Sequence, residues 1–111
     1  MKLIVAIVQD EDAVRLVGAL MEKGYGVTKL ATTGGFLRAG NTTLISGVAD
    51  EKLPEALGII EKICKSREQI TASTTPMGSS AAGGVYVPYP IRVTVGGATI
   101  FVLEVSQFLK V

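Results

Sequence analysis

The chain has 111 residues, a length that suits one domain around one hydrophobic core. Hydrophobic residues make up 48% and charged residues 19% of the sequence, which excludes an intrinsically disordered chain. Eleven basic and ten acidic residues give a net charge of +1, which argues against a general nucleic-acid binder because such proteins concentrate positive charge on one face. We therefore expect residues 1–111 to form a single domain that binds no DNA.

The absence of some residue types excludes several kinds of catalytic and metal-binding site. The sequence contains no histidine, so Ser–His and Cys–His nucleophile pairs and histidine-ligated metals are excluded. The one cysteine, Cys64, can form neither an internal disulfide nor a structural zinc site. Despite a mean hydropathy of +0.43, the apolar run Leu3–Val8 is far shorter than the roughly 20 residues of a membrane span. We expect a cytoplasmic protein without signal peptide, membrane span, metal or cofactor.

The first third of the chain predicts a strand, a helix and a second strand. Leu3–Val8 is rich in Ile and Val and is typical of a buried strand. The carboxylates of residues 10–12 suit a helix N-terminus, and Gly24 is a plausible helix stop. Between them, apolar residues recur at helical spacing, at Ala13, Leu16, Val17, Leu20 and Met21. Tyr25–Ala31 then predicts the second strand.

The same pattern returns about forty residues later. A short apolar run at 44–48 precedes Asp50 and Glu51, and Pro54 falls in the first turn of the predicted helix, where its missing N–H does little harm. The apolar positions of this helix are Leu53, Ala56, Leu57, Ile60, Ile63 and Cys64. Two copies of one strand–helix unit predict an α+β fold of the ferredoxin-like split βαβ type, with Cys64 packed in the core.

The rest of the chain predicts a long loop and a hairpin. Lys62, Lys65 and Arg67 look like a solvated helix end, and Thr71–Pro90 is dense in Thr, Ser, Gly and Pro, as in a long loop. Ile91–Val95 and Ala98–Val105 flank Gly96-Gly97, which predicts a C-terminal β-hairpin added to the fold.

The last predicted strand is apolar on both of its faces, from Ile100 to Leu103. Two short helices can cover only one side of the sheet, which favours burial of the other side in a homo-oligomer over complete coverage within one subunit.

The segment Lys29–Thr43, KLATTGGFLRAGNTT, has the most unusual composition. Paired glycines let a ligand approach the backbone, hydroxyls and Asn41 supply neutral hydrogen-bonding groups, and Phe36 offers a ring on which a base can stack. The segment matches no common phosphate-binding motif. Its local features support equally a neutral nucleotide site and a tight connection between two strands with Phe36 packed inward.

Several runs together resemble a known family: IVAIVQD, TKLATTGGFLRAGNTT, TPMG, VPYP and VGGAT. They are similar to the PII-like signal transduction proteins of the PstA type, which are receptors for cyclic di-AMP. The resemblance extends from Met1 to about Val105.

The resemblance implies a PII-like homotrimer without catalytic activity, with one cyclic di-AMP in each cleft between subunits. The segment from Arg67 to Pro90 matches a large loop that rearranges on binding, a change that an unknown downstream protein would read. The residues that match ligand-contacting positions are Thr28, Gly35, Phe36, Leu37, Asn41, Gly47 and Phe101.

Three other functions agree less well with the sequence. A PII-type sensor of ATP or another small metabolite would carry a long charged loop between the second and third strands, where this chain has a glycine-rich segment. An acyl phosphatase needs an arginine cradle near the first strand, which Gln9 and Asp10 do not supply. A pure assembly module would leave the composition of Lys29–Thr43 without a purpose.

Overall fold

The computed structural model describes residues 1–30, 40–76 and 86–111. In these ranges the chain forms six strands, two helices and a short 3₁₀ turn. In chain order they are β1 (Lys2–Gln9), α1 (Asp10–Glu22), β2 (Thr28–Leu30), β3 (Asn41–Val48), the 3₁₀ turn (Asp50–Lys52), α2 (Leu53–Cys64), β4 (Arg67–Pro76), β5 (Tyr86–Val95) and β6 (Ala98–Glu104).

Four of the strands form one antiparallel sheet in the order β2-β3-β1-β6. The repeated strand–helix unit that the sequence predicts is β1–α1 followed by β3–α2. The α+β class and the ferredoxin-like arrangement are therefore confirmed.

One face of the sheet carries both helices and the core. In β1, Ile4, Ala6 and Val8 are buried, whereas the residues between them are only half-buried. This alternation places every second side chain of the strand against the helices. The other buried apolar residues are Ala13, Leu16, Leu20, Tyr25, Leu44, Val48, Ala56, Ile60 and Cys64. Cys64 is 1% exposed, so its predicted packing role is confirmed.

The second strand begins later than the predicted Tyr25–Ala31. Its described part spans Thr28–Leu30, and Tyr25 lies before it in the core. The Tyr25 hydroxyl donates to Oε1 of Glu55 at 2.7 Å. This hydrogen bond, together with burial and the negative charge of Glu55, raises the pKa of Tyr25 to about 12. Tyr25 therefore links the end of α1 to α2 instead of lengthening the sheet.

The predicted C-terminal hairpin was wrong in its pairing. β5 pairs with β4, from Arg67 opposite Val95 to Pro76 opposite Tyr86, and β6 joins the edge of β1. Much of the predicted loop Thr71–Pro90 is thus strand, and residues 77–85 lie outside the described ranges. The physical reason is burial: on the edge of β1, Ile100 packs against the core that both helices build. We call the β4–β5 pair the ribbon.

Gly96 and Gly97 form the crossover between the ribbon and β6 instead of a hairpin turn. Both have positive φ, 83° and 93°. A Cβ atom on Gly96 would lie 2.5 Å from Nη1 of Arg67 and 2.8 Å from the backbone oxygen of Lys65, whereas a Cβ atom on Gly97 would meet nothing within 4 Å. Gly96 is therefore required for both its conformation and its lack of a side chain.

This difference predicts unequal effects of two alanine substitutions. We expect Gly97→Ala to lower the free energy of unfolding by about 1 kcal/mol, because alanine is strained at a positive φ. We expect Gly96→Ala to have the same cost and to lose about 1–3 kcal/mol in addition, because its methyl group overlaps backbone that cannot move aside. Urea denaturation of both variants measures the difference, and equal losses of stability would contradict the packing of Gly96 against the start of β4.

Candidate ligand-binding site

The face of the sheet opposite the helices carries one row of side chains that crosses all four strands. Thr28 of β2 pairs with Ile45 of β3, Ile45 pairs with Val5 of β1, and Val5 pairs with Phe101 of β6. Directly paired residues of antiparallel strands point to the same side of a sheet. We call this side the open face.

Two more of the sequence-predicted site residues belong to the open face. Gly47 is paired with Leu3, which is paired with Leu103 on β6. Asn41 opens β3 and is paired with Gln9, the last residue of β1. Thr28, Asn41, Gly47 and Phe101 therefore share one face, although they come from three strands. The remaining predicted residues, Gly35, Phe36 and Leu37, lie outside the described residues.

The open face is apolar, and neither helix covers it. Phe101 is 52% exposed and Leu103 is 47% exposed, while Leu3, Val5 and Ile7 are half-buried. The strand positions that face this side are all uncharged: Leu3, Val5, Ile7, Gln9, Thr28, Leu30, Asn41, Thr43, Ile45, Gly47, Thr99, Phe101 and Leu103. Such a surface can hold a ligand through stacking, apolar contact and neutral hydrogen bonds.

Gly47 leaves its part of the backbone accessible. It is exposed, and a Cβ atom there would approach Cε of Met1 no closer than 3.8 Å. Strand β3 therefore has room at this point for a ligand to contact the main chain.

Thr42 does not take part in the open face, contrary to its inclusion in the predicted nucleotide segment. It is 5% exposed on the helix side, and its hydroxyl donates to Oδ1 of Asp10 at the start of α1. The Asp10 amide in turn donates to the backbone oxygen of Gly40 at 2.8 Å. Residues 40–42 are thus fixed to the first residue of α1.

The ribbon is attached to the sheet by a group of side chains that sequence analysis missed. Asp12 is fully buried, and Nη2 of Arg67 donates to its Oδ1 at 2.9 Å, while Nη1 lies 3.4 Å from Oδ2. Arg15 donates to the same Oδ1 at 2.8 Å. The prediction that Arg67 belongs to a solvated helix end was wrong: it begins β4 and binds the buried carboxylate. No spacing rule connects two residues 55 positions apart.

A second contact joins the ribbon to the end of β1. The Gly96 amide donates to Oε1 of Gln9 at 2.7 Å. The Gly97 amide donates to the backbone oxygen of Cys64. We call Gln9, Asp12, Arg67 and Gly96 the root cluster.

The charged groups around Asp12 shift one another's pKa values. Hydrogen bonds from Arg67 and then Arg15, with the positive charges of both, lower the pKa of Asp12 even though burial opposes this. The same hydrogen bond raises the pKa of Arg67. Burial, and then the charge of Asp12, raise the pKa of the Cys64 thiol to about 11. At neutral pH Asp12 is therefore a carboxylate that binds the guanidinium groups of both Arg67 and Arg15, and the Cys64 thiol is neutral.

A pocket of about 590 Å³ lies on the helix side of the sheet, away from the open face, and is mostly apolar. Its lining includes Leu57, Ile60 and Cys64 of α2 with Ile100 and Val102 of β6. None of the four described site residues lines it, so it supplies no support for the predicted nucleotide chemistry.

The buried Asp12 carboxylate predicts a pH-dependent stability. In the folded protein the pKa of Asp12 is lowered from an unfolded value of about 3.9. The carboxylate therefore makes its full contribution to the free energy of unfolding above that pH, and this contribution is lost as the pH falls through the folded pKa. At pH 7 we expect Asp12→Asn to lower the free energy of unfolding by about 2 kcal/mol, since it removes charge-assisted hydrogen bonds.

Denaturation of wild-type protein and Asp12→Asn between pH 7 and pH 2 measures this contribution, and the gap between them should narrow below about pH 4. Asp50→Asn is the control: Asp50 also pairs with a cation, the N-terminus at 2.9 Å, but its side chain is 61% exposed, so a smaller loss is expected. A gap that stayed constant down to pH 2 would show that the Asp12 charge contributes nothing.

Two further properties hold for the described residues. No helix in 1–30, 40–76 or 86–111 is long and apolar enough to cross a membrane. Within these ranges there is also no group of three or more side chains of the types that ligate metals.

Comparison with known proteins places the chain in a family. A solved structure described as a functionally unknown protein from Pediococcus pentosaceus is similar, with a TM-score of 0.76 and 44% sequence identity. The similarity covers 99% of this chain and 96% of that one. The family model described as cyclic-di-AMP receptor matches residues 1–111, the whole chain. The protein therefore belongs to the cyclic-di-AMP receptor family, a family of signalling receptors.

Proposed function

We propose that this protein is a non-catalytic receptor that holds cyclic di-AMP in the clefts between subunits of a homotrimer and signals through rearrangement of its loops. Residues 1–111 act in this proposal as one PII-like domain that needs no cofactor beyond the ligand. Membership of the receptor family supports the ligand class. The observation that carries the proposal is the placement of Thr28, Asn41, Gly47 and Phe101 on one open face.

The chemistry of these four residues suits an adenine nucleotide of modest charge. The Phe101 ring offers a surface on which a base can stack, and the Asn41 amide can both donate to and accept from an adenine edge. The Thr28 hydroxyl can donate to a phosphate oxygen, and the backbone at Gly47 is open to close approach. The segment with Gly35, Phe36 and Leu37 joins β2 to β3 and would complete the site.

The absence of titratable side chains from the open face supports a receptor over an enzyme. The thirteen open-face positions of the four described strands include no Asp, Glu, Lys, Arg, Cys or Tyr. General acid–base or nucleophilic catalysis needs such a group within hydrogen-bonding reach of the substrate.

The position of the site residues within the sheet supports an intersubunit cleft. Thr28 lies on the edge strand β2 and Phe101 on the opposite edge strand β6. Three interstrand spacings separate them, about 14 Å in all. A head-to-tail contact, with β6 of one copy beside β2 of the next, would bring Phe101 near Thr28 of another chain and would close a ring.

The exposed apolar surface gives such an assembly a driving force. Phe101, Leu103 and the half-buried residues of β1 form a continuous patch on the open face. Monomeric proteins seldom leave a large apolar patch uncovered. Association that covers this face would bury the patch, and the exposed backbone at Gly47 would leave room for a ligand between the copies.

Calorimetric titration with cyclic di-AMP tests the ligand. We expect one ligand per subunit, and we expect Phe101→Ala to weaken binding by roughly 5- to 150-fold because truncating a stacking ring costs about 1–3 kcal/mol. Val102→Ala is the matched control, since Val102 is the next residue of β6, is also partly exposed, and faces the helix side. Equal losses in both variants, or binding of ATP in place of cyclic di-AMP, would overturn the proposed function.

The assembly has its own test. One chain has a mass of 11.6 kDa, so light scattering of the purified protein should give about three times that value for a trimer. Replacement of Leu103 by Glu should shift the mass toward that of one chain, because it places a charge within the apolar patch. A monomer mass for the unmodified protein would refute the homotrimer.

A further inference from the structure

We propose that Gln9 is a positioning residue that couples the ligand-binding face to the ribbon. This inference rests on the proposed function, because it assumes a ligand at Asn41. Gln9 is paired with Asn41 on one side of β1, and on the other side its Oε1 accepts the Gly96 amide at 2.7 Å. One side chain thus stands between a predicted ligand contact and the base of the ribbon.

The chain around Asn41 is held by hydrogen bonds to the start of α1. Asn41 is the first residue of β3, and the residues on either side of it, Gly40 and Thr42, both hydrogen-bond to Asp10. Opposed Cα atoms in an antiparallel pair are about 4.5–5.5 Å apart, so a shift of Asn41 reaches Gln9 directly. A movement at the start of β3, where the predicted nucleotide segment ends, would therefore also move Gln9 and Asp10.

The ribbon is held at its base by hydrogen bonds. Three of them join the described ribbon and its crossover to β1 and the two helices: the Arg67–Asp12 pair, the Gly96–Gln9 bond and the Gly97–Cys64 bond. Along the rest of their lengths, the described parts of β4 and β5 pair with each other. Each strand has ten residues and spans about 33 Å, so a small rotation at the root moves the far end by several ångströms.

The three contacts differ in what they can transmit. Arg67 binds a carboxylate on α1 that is fully buried and has a second cation, so this contact is a fixed pivot. The Gly97 bond connects main chain to main chain at the end of α2. Only Gln9 belongs to a strand that also forms the open face. It is therefore the contact through which a ligand can turn the ribbon about the Arg67–Asp12 pivot.

The rigidity of Gly96 makes the coupling direct. Its missing side chain lets it lie against the start of β4, where a Cβ atom would overlap Arg67 and Lys65. Movement of the Gly96 amide with the Gln9 side chain is therefore passed to Arg67 and β4 as well as to β5.

Hydrogen–deuterium exchange read by mass spectrometry tests this role, with cyclic di-AMP at saturation so that changes in affinity do not affect the result. In the wild-type protein we expect the ligand to change the exchange rate of ribbon peptides 67–76 and 86–95 at least threefold. Gln9→Met keeps the length of the side chain and removes the amide acceptor. In this variant, with the ligand still at saturation, we expect the ligand-dependent change in the ribbon to be lost.

Gln9→Glu provides the matched rescue, because its carboxylate can still accept the Gly96 amide. It should restore the ligand-dependent change in the ribbon, and without ligand it should keep exchange across 91–97 at the wild-type rate, whereas Gln9→Met raises that rate about tenfold. A full ligand response in Gln9→Met, or no restoration by Gln9→Glu, would overturn the inference. If calorimetry showed that the wild-type protein binds no cyclic di-AMP, the proposed function would be wrong. The hydrogen bond between the Gly96 amide and Gln9 would still be tested by the exchange rates measured without ligand.

Discussion

The structure depends on the one-sided burial of β1, the strand that pairs with both β3 and β6. Its even-numbered residues Ile4, Ala6 and Val8 are sealed against α1 and α2. Because side chains alternate along a strand, this burial directs Leu3, Val5 and Ile7 to the open face. A shift of one residue in register would exchange the two sets, and the buried core opposes it. The register in turn aligns Thr28, Gly47 and Phe101, which no local sequence feature could bring together.

The same strand connects the two features that a signalling receptor needs. Its residues at 3, 5 and 7 form the middle of the open face, which is the proposed ligand site, and Gln9 at its end contacts the crossover of the ribbon. The core on the helix side packs apolar side chains together with the buried Asp12 carboxylate. Through Arg67 the ribbon is attached to this carboxylate.

Much of the fold follows from local patterns in the sequence. The Ile- and Val-rich run Leu3–Val8 predicted β1, and the helical spacing after Asp10 and Asp50 predicted α1 and α2 because a helix with one buried face leaves a regular apolar period. The burial of Cys64 followed from the same periodicity. The resemblance to cyclic di-AMP receptors supplied the site residues, and four of the seven lie on one face.

The remainder was set by contacts between distant residues. Gly96-Gly97 has the composition of a hairpin turn, yet the free edge of β1 takes β6 because this pairing buries Ile100. The predicted strand Ile91–Val95 is the second half of β5, but β4 and the first half of β5 were missed because Thr, Ser and Pro in 71–90 are typical of loops, whereas β4 and β5 stabilise each other by pairing. Arg67 and Asp12 are each unremarkable in sequence, and only the folded chain brings them to 2.9 Å.

The central claim is that the open face binds cyclic di-AMP where two copies meet, and a crystal structure of the protein grown with this ligand tests it most directly. The account predicts a trimer in which the ligand lies over Gly47, with an adenine against Phe101 of one chain and Thr28 of its neighbour within hydrogen-bonding reach. Ligand bound instead in the helix-side pocket beside Leu57 and Ile100, with the open faces closed against each other, would contradict it.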